Sequence, residues 1–178
     1  MQTESFVVIV AVSANLEGDL IKMKLQTSIS TKELCSFTIS QLNNFFPDHK
    51  LIELDDIRSQ AEESLRRIEH CFSYVYNKYY FDGKSSIFNH LHGDQYATWL
   101  YILSNEVYLS GGNVSACEKL FLLNKLLHGC DIFYQVNLPS AFLLVHPLGT
   151  VLGRADYSDF FVAYQRCGIG SNNDIYPR

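Results

Sequence analysis

The chain has 178 residues, 47% of them apolar and 19% charged, and carries a formal net charge of −5 at pH 7. That balance describes a globular core, or two small interlocked modules, and excludes a disordered tail or a basic nucleic-acid-binding surface. Five cysteines (Cys35, Cys71, Cys117, Cys130, Cys167) with no C-x-x-C pair exclude a disulfide framework and a zinc knuckle, and fit a reducing cytoplasm.

Residues 1–29 carry no assignable element. The run FVVIVAV (Phe6 to Val12) reads as a buried strand, is too short to span a bilayer and lacks a cationic flank, so no membrane or targeting segment is expected. Met23 marks residues 1–22 as an expected extension upstream of the true start, because the first clear helix signal follows it. Ser30-Thr31-Lys32-Glu33 is a capping-box pattern, and Cys35, Ile39, Leu42 and Phe46 form a stripe that Pro47 ends. Leu54, Ile57, Ala61, Leu65, Ile68, Phe72 and Val75 recur every three or four residues, which predicts an amphipathic helix of about five to six turns.

The segment Gln95 to Leu109 is apolar nearly all round, as a helix buried among others is, and Asp94 is its expected N-cap. His90 and His92 beside Asp94 do not amount to a metal site, since no third ligand is evident. The Tyr79-Tyr80-Phe81 cluster reads as core packing. Asn113 is the expected cap of a further helix bearing Ala116, Leu120, Leu123 and Leu127, and Gly129 its stop. Residues 30–129 thus read as an all-helical bundle. No Walker sequence and no G-x-G-x-x-G after a strand occurs.

From Asp131 helix formers thin out, and Ile132, Leu138 and Leu144 follow one another at a spacing of six. A period of six fits a hexapeptide solenoid, with a small antiparallel sheet as the alternative. The order of residues is more specific. The run DIFYQVNLPSAFLLVHPLGTVLGRADYSDFFVAYQRCGIG, Asp131 to Gly170, resembles the start of the left-handed β-helix of bacterial serine acetyltransferases. That family carries a D-I dipeptide, then H-x-x-G-x-V-x-G, then a stretch of the type D-N-V-x-I-Y-Q-x-V-T-x-G. FNHLHGDQYATWLYILSN and LNKLLHGCDIFY strengthen the likeness, which covers roughly residues 50–178 and is nearest to members that accompany bacterial surface-polysaccharide genes.

The resemblance implies an α+β chain: an α-helical domain over 30–129, then two to three coils of a left-handed parallel β-helix over 130–178. It implies acetyl transfer from acetyl-CoA, a co-substrate rather than a bound cofactor, to the hydroxyl of L-serine, the first step from serine towards cysteine. His146 and Asp131 stand at the family's spacing for the catalytic base and the carboxylate that orients it. Neutral imidazole is a suitable base for a hydroxyl attacking a thioester, and a carboxylate on its other nitrogen fixes the tautomer. Asp94 is a further substrate contact on this reading. Trimers, or dimers of trimers, are implied; nucleic acid and membrane are not.

Four departures accompany the likeness. Val145 replaces an acidic residue that precedes the family's catalytic histidine, Tyr176 before Pro177 aligns with its second histidine, Ile175 replaces an arginine, and Gly168 replaces a threonine. Each coil needs about eighteen residues, so the segment to Arg178 is short and the chain is expected to be C-terminally truncated. Two alternatives follow: O-acetylation of a sugar hydroxyl on a surface polysaccharide, and a non-catalytic oligomerisation module.

Overall fold

The structure is a computed structural model that describes residues 24–170. The run FVVIVAV, the proposed start at Met23, and Ile175, Tyr176 and Pro177 lie outside the described residues.

Ser30 caps the first helix, α1 (Thr31–Phe45): its Oγ accepts from the Glu33 amide at 3.3 Å, and Glu33 Oε2 accepts from the Ser30 amide at 2.9 Å. Leu34, Cys35, Thr38 and Leu42 form the buried stripe, with Ile39 and Phe46 at its margin. The next helix is shorter than the periodicity predicts. Leu54–Asp56 form a 3-10 turn, and α2 runs from Arg58 to Ser73. Asp56 caps the start of that turn, its carboxylate accepting from the Glu53 amide at 2.8 Å, and the break falls at Ile57, whose φ of −133° is not helical.

Residues 30–129 are not all helical. A strand β2 (Ser86–Phe88) pairs in parallel with β1 (Leu25–Thr27), and three-residue strands have too little alternation to announce themselves in sequence. Of the aromatic cluster before β2, Tyr80 is buried, whereas Tyr79 is exposed. Helix α3 (Gly93–Leu109) is enclosed on nearly every side, with Trp99 and Leu100 fully buried. Asn113 caps α4 (Val114–His128) through bonds from the Ser115 and Ala116 amides, and Gly129 ends it at φ 60°, a left-handed geometry that glycine adopts without steric cost.

Five short strands follow among the described residues: β3 (Asp131–Ile132), β4 (Phe142–Leu144), β5 (Val151–Leu152), β6 (Phe161–Ala163) and β7 (Gly168–Ile169). Their pairings are all parallel, in the orders β3-β5-β7 and β4-β6. Asp131 lies beside Val151, Val151 beside Gly168, and Phe142 beside Phe161. The chain therefore returns to the same flank about every eighteen residues. Ile132, Leu138 and Leu144, the residues of the six-residue spacing, are all buried. The described residues are mixed α+β, with four α-helices and short parallel strands.

One core runs through both halves. Tyr101 Oη on α3 donates to the Val136 carbonyl at 2.7 Å and accepts from the Leu138 amide at 2.9 Å. Asn105 Nδ2 donates to the Tyr134 carbonyl at 2.8 Å, and Cys71 Sγ on α2 donates to the Phe142 carbonyl. Segments too short to bond themselves fully are thus satisfied by helix side chains.

Candidate functional site

Three segments meet at one corner: the first turn of α3, the last turn of α4, and the loop after β4. The loop is bonded to the chain leaving α4, since the Gly149 amide donates to the Gly129 carbonyl at 2.9 Å and the Asp131 amide to the Thr150 carbonyl at 2.8 Å. The Val145 amide donates to the Ala163 carbonyl at 2.8 Å, which fixes the point where β4 ends. His146 comes next.

Its φ is 47°, a left-handed backbone that costs a non-glycine residue roughly 1–2 kcal/mol. Such strain concentrates at functional positions. The His146 side chain is 79% exposed, and its Nδ1 stands 3.6 Å from Asp94 Oδ2, whose side chain is only 13% exposed. That separation is long for a hydrogen bond and short enough for an ion pair once the ring is protonated.

Asp94 is not the cap of α3. The helix starts at Gly93 with His92 in the N-cap place and no capping bond from its side chain. The His92 amide donates to the Asn89 carbonyl at 2.9 Å, and this turn sets the helical path ahead of Asp94. Asp94 falls in the first turn, where the helix dipole still favours its charge.

Asp131 does not pair with His146. As the first residue of β3 it faces back to the last turn of α4, and its Oδ2 accepts from Lys125 Nζ at 2.6 Å. The structure thus brings His146 to Asp94 and holds Asp131 on Lys125. Tyr176, the remaining site residue expected from sequence, is outside the described residues.

His128, which the sequence reading passed over, is the other group at this corner. Its Nδ1 is 2.9 Å from Asn124 Oδ1, and its ring meets the Tyr96 ring edge-on at 5.9 Å. Burial pushes its pKa down, partly opposed by the Asp94 carboxylate. The Asn124 and His128 pair at i, i+4 was a visible signal. Burial and the same Asp94 charge push the Tyr80 phenol up. Burial also pushes the Cys130 thiol up to about 12, so it is an inert core residue rather than a nucleophile. His92 Nδ1 is buried and has no hydrogen-bond partner among the described residues. His90 turns away, with Nδ1 2.8 Å from Ser28 Oγ.

Among the described residues no three His, Cys, Asp or Glu side chains cluster as metal ligands, and no helix is long and apolar enough to cross a membrane. A cleft of about 180 Å³ lies between the end of α2 and the β4-β6 pair, walled by Tyr74, Tyr76, Phe142, Phe160 and Tyr164. It bears no charged side chain and reaches the polar corner only through Val145. Comparison with known proteins finds no family model, no curated protein and no solved structure that matches the chain.

Proposed function

We propose that the chain is an acetyl-CoA-dependent O-acetyltransferase of the serine acetyltransferase type, with L-serine as acceptor and His146 as general base. The observation that carries this reading is His146 itself: an exposed imidazole on a strained backbone, with Nδ1 turned to a largely enclosed carboxylate. A proton on Nδ1 facing Asp94 leaves the Nε2 lone pair for the serine hydroxyl. As Nε2 takes that proton, the hydroxyl oxygen bonds to the thioester carbonyl carbon. Collapse of the tetrahedral intermediate then breaks the C–S bond, and the imidazolium proton goes to the departing thiolate. Asp94 stabilises the imidazolium in between, while Asp131, neutralised by Lys125, anchors β3 to α4.

The strand half fits this reading as the first turns of a left-handed β-helix, since its strands pair in parallel at steps close to one coil. Exposed Leu148 and Val151 on that half suit contact between copies, and a homotrimer is the assembly expected. One observation favours a sugar hydroxyl as acceptor instead: Val145, in the place of an acidic residue, borders an uncharged cleft.

The test is thiol release from acetyl-CoA with and without L-serine. Serine-dependent release should fall about a hundredfold or more in His146→Ala. It should fall more in Asp94→Asn than in Asp131→Asn, and the reverse order would restore Asp131 as the orienting group. Release that responds to a sugar acceptor and ignores serine would favour the second acceptor. No release from folded wild type with either acceptor would overturn the enzyme reading and leave an oligomerisation module.

A further inference from the structure

His128 stands at the same corner with its protonation pattern fixed by its neighbours. Asn124 Nδ2 donates to the Ala97 carbonyl at 2.9 Å, which orients the amide and leaves Oδ1 facing His128 Nδ1. An amide oxygen only accepts, so Nδ1 carries the hydrogen. In the neutral ring Nε2 then holds a lone pair, and it has no hydrogen-bond partner among the described residues. The ring is held on its other side by Tyr96, and Cδ2, the carbon bonded to Nε2, is the atom nearest to where a Cβ on Gly93 would sit, at 4.0 Å. That edge of the imidazole therefore faces the first turn of α3, where Asp94 follows Gly93.

We propose that His128 determines acceptor specificity, its Nε2 accepting a hydrogen bond from the ammonium group of the acceptor substrate beside the Asp94 carboxylate. This rests on the O-acetyltransferase reading and goes beyond it, since a neutral acceptor and a carboxylate together select a cationic donor group over an uncharged hydroxyl. The groups that meet the ring are Asn124 at Nδ1 and Tyr96 at its face, with the Asp94 carboxylate close enough to favour its charged form. Burial disfavours the charged form of the ring, and Lys125 is paired with Asp131.

Two measurements test it. In steady-state kinetics, His128→Phe keeps a planar ring and removes the lone pair, and L-serine is compared with 3-hydroxypropionate, which lacks only the amino group. The KM for L-serine should rise roughly tenfold, with kcat and the KM for 3-hydroxypropionate within about twofold of wild type. An equal change for both acceptors, or none, overturns the proposal. The second measurement needs no turnover: the ¹⁵N resonances of His128 in the wild-type protein, with L-serine or 3-hydroxypropionate added. The Nδ1–H tautomer and an Nε2 shift on addition of L-serine alone are expected. The Nε2–H tautomer, or no response to L-serine, overturns the assignment. A serine-responsive Nε2 in a protein that transfers no acetyl group would refute the reaction and leave the ammonium site standing.

Discussion

In α3 twelve of seventeen residues are buried, whereas none of the strands β3 to β7 is longer than three residues. The helix satisfies its own backbone and brings its side chains to the core. The strand half depends on others: its carbonyls at Tyr134, Val136 and Phe142 accept from Asn105, Tyr101 and Cys71 on the helices. Among the described residues, the three non-glycine residues with positive φ, His146, Phe160 and Arg166, also lie in the strand half. Where backbone order comes from tertiary bonds rather than local ones, a side chain can be held in a costly conformation, and the exposed histidine is found there.

The largest expected effect lies on the helical side of this comparison. Trp99 is fully buried, and its indole Nε1 donates to Thr38 Oγ1 at 3.1 Å. Trp99→Ala should cost about 3–5 kcal/mol in denaturant unfolding, through a cavity that the packed helices cannot close. If both halves share one core, near-UV and far-UV signals will fall together. Separate transitions would split the molecule where Tyr101 and Asn105 now join it.

Next in size is Tyr101→Phe, which removes the hydroxyl that bridges the two halves. It leaves the buried Val136 carbonyl and Leu138 amide without partners and should cost about 1–3 kcal/mol. The comparison sharpens if hydrogen exchange quickens across 132–144 and stays slow in α3. Uniform acceleration would mean that the strands do not open separately.

What was legible in sequence divides along the same line. Ser30 with Glu33, and Asn113 with Gly129, were readable because a cap is decided within four residues of itself. Ile132, Leu138 and Leu144 were readable because their burial repeats at a spacing of six. The β1-β2 pair was not, since it joins Leu25 to Ser86 across two helices. At the corner, His146 was visible by its neighbours in the chain, while its contact with Asp94 crosses half the molecule. The Asp131 expectation missed Lys125 because the left-handed turn at Gly129 folds β3 back towards the last turn of α4.

That turn supplies a smaller prediction. Gly129→Ala forces a left-handed conformation on alanine, at roughly 1–2 kcal/mol. The new Cβ would meet Leu148 Cδ1 at 2.8 Å, but Leu148 is exposed and can swing aside. The loss should be read as a lower melting temperature together with a changed His146 environment, because the Gly129 carbonyl holds Gly149 in the loop that carries His146. A stability loss with an unaltered His146 resonance would uncouple the turn from the loop.

The smallest effect belongs to a purely local device, and it tests whether the helical half is as self-sufficient as the comparison holds. Ser30→Ala removes the hydroxyl that accepts from the Glu33 amide, at about 1 kcal/mol. The Ser30 hydroxyl and amide together hold the Glu33 carboxyl below its ordinary range. A depressed carboxylate contributes stability that is present above its unfolded pKa and lost as pH falls through the folded one. The difference between wild type and Ser30→Ala should therefore be full near pH 7 and shrink below about pH 4, as Glu33 takes up a proton. A difference that stays constant to pH 3 would assign the cap to the serine hydroxyl alone, with no part played by the carboxylate.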